Sequence, residues 1–259
     1  MVIAVRDLVP HTQQECEEAA RRLVLAGLVS EQERDDAARR AKEYGCEIRD
    51  ALEAAFFARI LAGANRGIDP VTSLRLFVIY GGVLSIVREG PIALVRQSGE
   101  LEAMIERVIN FDHLRQLEDS SMAIKWAADR GEADPDDLGR LLAEKVYDRI
   151  RQLDQGGREQ GDGYEAAVCC VRRAGAWHVE IRDIDHAREA GLLGSDWWLR
   201  RRIEALTYSA RQPLLRAVFG DILAGLATED EIQPLRLVQP NDDPPPDDEE
   251  GLRDGVKAA

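Results

Sequence analysis

The chain has 259 residues, 45% of them hydrophobic, and carries 48 acidic against 34 basic side chains for a net charge of −14 at pH 7. That length holds one sizeable α/β domain or two small ones, and no apolar run approaches the roughly 18 residues a membrane-spanning helix needs. The opening MVIAVRDLVP is too short and too quickly charged for a signal peptide, so a soluble, cytoplasmic protein with no membrane partner is expected.

Residues 12–28 and 31–44 read as amphipathic helices, the second opened by a Ser30-x-x-Glu33 capping box and ended by Gly45. Asp50-x-x-Glu53 marks a third helix with apolar positions at Leu52, Ala55, Phe56, Ile60 and Leu61, stopping near Asn65–Gly67 because Asp69–Pro70 follows. The period then changes. Leu76–Tyr80 and Val83–Val87 are short strand-like runs around Gly81–Gly82, a hairpin signal. Pro91 starts a short helix, Ile92–Gln97, closed by Ser98–Gly99, and Leu101–Asn110 reads as another strand.

Residues 112–153 are charged and helical in pattern, with Asp134–Pro135 at a helix start, followed by a Gly/Gln-rich stretch at 154–163. Tyr164–Arg172 and Trp177–Arg182 form a second hairpin signal around Ala174–Gly175. A short helix is expected at 184–191 and one or two more at 196–226, with Pro213 marking a break or restart. From 233 onward the composition collapses to Pro, Asp and Glu, a segment expected to be disordered.

Little in this sequence carries catalysis. It has no Walker loop, no dinucleotide-binding glycine motif, no G-x-S-x-G elbow and no His-x-x-x-His pair. Cys16, Cys46, Cys169 and Cys170 lack zinc or disulfide spacing and read as reduced filler. Neither an enzyme nor a metal or cofactor site is expected.

One segment stands out by charge. Between Trp197 and Phe219 lie Arg200, Arg201, Arg202, Arg211 and Arg216 against Glu204 alone, interleaved with Trp198 and Tyr208. Guanidinium groups neutralise phosphates and aromatic faces stack on unpaired bases. The same pattern also describes an amphipathic helix with core aromatics and a salt-bridged outer face.

Two blocks carry a family resemblance. Residues 60–108 hold Gly63, Gly67, Pro70, Leu74, Ile79 and Gly82, then Ala93, Leu94, Val95, Arg96, Ser98 and Gly99. Residues 164–232 hold Arg172, Arg173 and Gly175, then Ala187, Ala190, Gly191 and Leu192, and finally Trp198, Arg211, Arg216, Phe219, Asp221, Gly225 and Leu226. In order and spacing the chain resembles the phage RecT-like single-strand DNA annealing recombinases, as a diverged member. Where such proteins keep an arginine-proline pair, Val83–Leu84 stand here; His186, Ile203, Glu204 and Ser209 also replace polar or basic positions, and residues 112–160 have no counterpart.

The resemblance implies an α+β fold: a curved antiparallel β-sheet of two hairpins backed by helices, with helical N-terminal and middle segments. It divides the chain into an N-terminal helical segment (1–50), a core (51–232) with a helical insertion at about 112–160, and the acidic tail (233–259). It also implies ATP-independent single-stranded DNA binding and annealing in phage or prophage homologous recombination. Side-by-side homo-oligomers, rings or filaments, would hold the DNA in a basic groove. Arg172, Arg173, Trp198, Arg200, Arg201, Arg202, Arg211 and Arg216 are the expected DNA-binding residues. The alternative is a diverged oligomeric scaffold or adaptor of the same fold without DNA binding, which the net acidity favours. The acidic tail suits docking to a nuclease or single-strand binding protein, or competition with DNA for the groove. If the tail competes, deleting residues 240–259 raises affinity for a single-stranded oligonucleotide in a low-salt titration; unchanged affinity removes that role.

Overall fold

The computed structural model describes residues 9–80, 83–132, 134–156, 163–194, 196–223 and 225–228. The fold is α+β, as expected, and its described residues form two compact units that divide after Arg88 and again before Leu226.

In the first unit, α1 (Gln13–Leu25), α2 (Glu31–Tyr44) and α3 (Ile48–Ala64) pack through small residues. Cys16 and Ala20 meet Phe56 and Ile60, and Ala37 and Ala41 meet Ala51 and Leu52. Thr12 and Ser30 each complete a capping box, and Gly45 takes the left-handed conformation (φ 67°) that ends α2, as its sequence position requires. Glu33 also pairs with the buried Arg59 of α3, which donates a second bond to the Leu74 carbonyl. Two local expectations shift. The third helix opens at Ile48 behind Glu47, which makes no side-chain cap, so Asp50 lies within its first turn. Asp69–Pro70 starts an additional helix, α4 (Pro70–Leu76), with the Asp69 carboxylate accepting from the amides of Val71 and Thr72. Proline at the first helical position stops one helix and opens the next.

The first hairpin is β1 (Phe77–Tyr80) against β2 (Val83–Ile86), with Tyr80 opposite Val83; its expected Gly81–Gly82 turn lies outside the described residues. A two-residue strand, β6 (Ala227–Thr228), runs parallel to β2.

The second unit is built on β3 (Ala103–Asn110), β4 (Glu165–Arg173) and β5 (Ala176–Asp183), antiparallel in that order. The β4–β5 hairpin turns at Ala174 and Gly175, both at positive φ, which suits a tight two-residue turn. The expected single sheet of two hairpins is not what forms. Each hairpin belongs to its own three-stranded sheet, because each gains a different third strand, β6 or β3.

β4 determines how this unit is layered. Ala166 to Val171 are buried without alternation, so both faces of the strand need cover. One face carries Glu106, Cys169 and Glu180 across the three strands, and the other carries Arg107, Val168 and Ile181. Helix α11 (Arg202–Val218) covers the first face. Helix α8 (Pro135–Gln155) covers the second, with α7 (Ser120–Ala128) packed on α8. The middle segment, helical as expected, thus supplies half of the sheet's cover.

The remaining helices are short: α5 (Gly90–Ser98), α6 (Phe111–Gln116), α9 (Ile184–Glu189), α10 (Asp196–Arg200) and α12 (Gly220–Leu223). Pro213 does not break α11, contrary to expectation. The ring removes one backbone donor, but Leu206, Ala210, Leu214 and Leu215 are buried on either side of it and hold the helix in place. The expected tail and most of the Gly/Gln-rich stretch lie outside the described residues.

Helices α7 and α8 cross at Gly139, where a Cβ would sit 2.5 Å from the Ile124 Cα. Alanine normally stabilises a helix interior by about 1 kcal/mol over glycine. Here the sign reverses: Gly139→Ala is expected to destabilise by about 1–3 kcal/mol through overpacking, read as a lower thermal midpoint. A raised midpoint contradicts this crossing.

Candidate nucleic-acid interface

The expected DNA-binding residues divide into three environments. Arg172 and Arg173 are consecutive on β4, so they project to opposite faces of the sheet and cannot line one groove. Arg172 lies 3.4 Å from a Glu102 carboxylate oxygen, its guanidinium 6.0 Å from the Trp177 ring centre. Arg173 is held by Asp221 at 2.6 Å, by Glu100 and by the Val218 carbonyl, and it stacks 5.0 Å over Phe219. Its hydrogen bonds pull the Asp221 carboxyl down to about 2.

Arg211 is locked more tightly. Its guanidinium makes a fork-like pair with Glu106, at 2.7 and 2.9 Å, and a further bond to Glu89 at 2.6 Å, with 14% of the side chain exposed. Burial alone would lower its pKa, but the Glu106 carboxylate more than offsets that and the pKa is raised. Trp198 is 4% exposed and so has no face open to a base. Its expected stacking role is corrected to a core role. Trp197 meets the buried Tyr208 edge-on at 5.5 Å. Arg216 is half-buried near the end of α11.

The third environment is the α10–α11 junction. Arg200 ends α10, Arg201 is the N-cap of α11 without a side-chain cap bond, and Arg202 is its first residue. All three are exposed. Arg201 meets Glu204 at 3.1 Å, and Arg202 meets Glu165 at 2.8 Å and the Gly163 carbonyl at 2.7 Å. Arginines at this end are in the wrong place for helix stability, because the N-terminus is the positive end of the dipole. Backbone amides and guanidinium groups at one helix start are, however, suited to a phosphate.

A second polar cluster escaped the sequence pattern. Asp183 ends β5, caps α9 and is fully buried. It accepts both guanidinium arms of Arg149 (2.6 and 2.9 Å), the Tyr164 hydroxyl, the amides of Asp185 and His186, and contacts His186 Nδ1 at 2.9 Å. Burial would raise its pKa, yet His186, Arg149 and Tyr164 together hold it well below the usual carboxylate range. The Tyr164 hydroxyl is pushed far up by burial and by that carboxylate. An anion so fully bonded is no general base; it pins α8, β4, β5 and α9 together. Asp183 is readable as an N-cap before α9, but nothing in the sequence ties it to Arg149.

Among the described residues no three His, Cys, Asp or Glu side chains are grouped to hold a metal. Burial raises both hairpin thiols, Cys170 to about 12, so neither is a ready nucleophile. No family model, no curated protein and no solved structure matches the chain.

Because the Asp183 pKa is depressed in the folded state, its contribution to stability is present above its unfolded pKa. It is lost as pH falls below about 4 toward the folded value. Asp183→Asn is therefore expected to cost about 3 kcal/mol at neutral pH and to flatten the acid limb of the stability profile, measured by urea melts across pH. An unchanged acid limb contradicts the assignment.

Proposed function

We propose that the chain binds and anneals single-stranded DNA without ATP, as the RecT-like resemblance implies, and that it contacts the backbone at the α10–α11 junction. The observation that carries this is the run Arg200–Arg202 at an uncapped helix start. Arg201 and Arg202 stand at the positive end of the α11 dipole, where a cation opposes helix stability. Local choices that oppose stability are expected at functional positions. The carboxylate partners of Arg201 and Arg202 are exposed or partly exposed, and such pairs contribute little, so a phosphate displaces them at small cost.

Arg173 and Arg211 belong to the frame. Their carboxylates come from distant parts of the chain: Arg173 is held by two at once, and releasing Arg211 would leave the largely buried Glu106 without its partner. The groove is thus proposed to depend on fewer arginines than the sequence suggests, supplemented by repetition in a side-by-side homo-oligomer. In such an assembly the hairpin sheets of neighbouring subunits would complete the curved antiparallel surface implied by the resemblance. No cofactor or catalytic side chain is needed, because annealing requires only neutralised backbones and accessible bases.

A second role has its own support. Arg172, Arg173 and Arg211 are paired with carboxylates, Trp198 is buried and the net charge is −14, as suits a diverged scaffold or adaptor of the same fold.

Mixing the protein with two complementary oligonucleotides at about 50 mM salt separates the two. The annealing protein accelerates pairing and shifts either single strand. Replacing Arg200, Arg201 and Arg202 by alanine weakens binding uniformly across sequences and reduces the log–log salt slope by about 2. No pairing above background, with an oligomer retained in light scattering, favours the scaffold.

A further inference from the structure

The sheet of the first unit has an open side. Its order, β1-β2-β6, leaves β1 with β2 on one edge and, among the described residues, no strand on the other. The phase of the hairpin decides which backbone groups face that side. The Val87 amide donates to the Leu76 carbonyl at 2.8 Å, and Phe77 stands opposite Ile86. Bonded and non-bonded pairs alternate along an antiparallel ladder, so Val78 bonds to β2 and the N–H and C=O of Ile79 both point outward. Among the described residues neither group has a partner. Ile79 is half-buried, and backbone groups left unpaired away from water cost free energy that another strand would recover.

A cavity of about 260 Å³ adjoins this strand. β1 lines it with Ile79, α3 with the apolar Leu52 and Phe56, and Glu33 and Asp36 are balanced there by Arg40 and Arg59. Among the described residues β2 contributes nothing to it. The volume is below the roughly 300–1,000 Å³ of a small-molecule site, and the balanced charges select no ion. An outward N–H and C=O beside an apolar recess fit an added strand, whose backbone pairs with the edge while alternate side chains fill the recess.

The chain carries such a strand. β6 ends at Thr228, level with Ile86 and so with Phe77, at the end of the sheet where β1 begins. Beyond it, outside the described residues, Leu235–Gln239 reads Leu-Arg-Leu-Val-Gln between Pro234 and Pro240. Proline cannot donate to a ladder and holds the residue before it extended, so the pair delimits a short strand. The six intervening residues, 229–234, span at most about 20 Å. Three strand spacings, from β6 to the far side of β1, are about 14 Å. The linker therefore reaches, and the returning strand runs parallel to β1.

We propose that Leu235–Gln239 docks as a fourth strand on the outer edge of β1 of the same chain, bonding the Ile79 backbone and placing Leu235 and Leu237 in the cavity against Leu52 and Phe56. Docking buries the one apolar run of an acidic tail and closes the edge to pairing with other chains.

Amide hydrogen exchange of the full chain, resolved by residue, tests this. The Ile79 amide is expected to exchange about tenfold or more slowly in the wild type than in a variant carrying Leu235→Asp and Leu237→Asp. Val78 is the control, because its amide bonds to β2 whether or not the tail docks, and its rate is expected to be the same in both. The protection is expected to be independent of protein concentration. In the wild type itself, nuclear Overhauser contacts are expected between the Ile79 amide and residues 235–239, and their absence overturns the proposal however the variant behaves. Equal Ile79 rates in the two proteins overturn it as well, and protection lost on dilution overturns it in favour of a tail supplied by a second copy.

Discussion

Two-sided burial of β4 is the constraint on which the second unit depends. Six consecutive residues from Ala166 to Val171 have no solvent face, so the strand needs neighbours on both edges and helices on both sides. β3 and β5 supply the edges, α11 and α8 the layers. Apolar burial has no direction and does not by itself fix where a helix sits. Two fork-like pairs do: Arg149 to Asp183 on one face, and Arg211 to Glu106 on the other. Each joins a helix to an edge strand where water is scarce, so removing one partner leaves a buried charge alone.

The same arrangement explains how a protein of net charge −14 can be proposed to hold a polyanion. Whole-chain charge governs long-range attraction, but contact depends on which cations are free to exchange partners. Arg173 and Arg211 are committed to carboxylates within the frame. Arg201 and Arg202 hold theirs at the surface. The contact proposed for a backbone phosphate therefore lies at the start of α11.

Much of the local structure was legible in the sequence, because local chemistry determines it. Thr12, Ser30 and Asp134 lie at helix starts, Gly45 and Gly99 end helices, and both hairpins fall where turn residues separate short apolar runs. Helix α4 was hidden because Pro70 was read only as a stop, and Pro213 misled because packing outweighs one lost hydrogen bond. The site was far less legible. Arg211 meets Glu106 across 105 residues and Arg173 meets Glu100 across 73, separations that no periodicity reveals. Trp198 has the composition of a stacking residue and the burial of a core one.

The division between committed and exchangeable arginines is tested most directly by hydrogen exchange of the backbone amides with and without a saturating single-stranded oligonucleotide. Protection is expected in the first turn of α11, around Arg202–Ala205, with amides beside Arg173 and Arg211 exchanging at unchanged rates. Protection centred on Arg173 and Arg211, with the start of α11 unaffected, would contradict it.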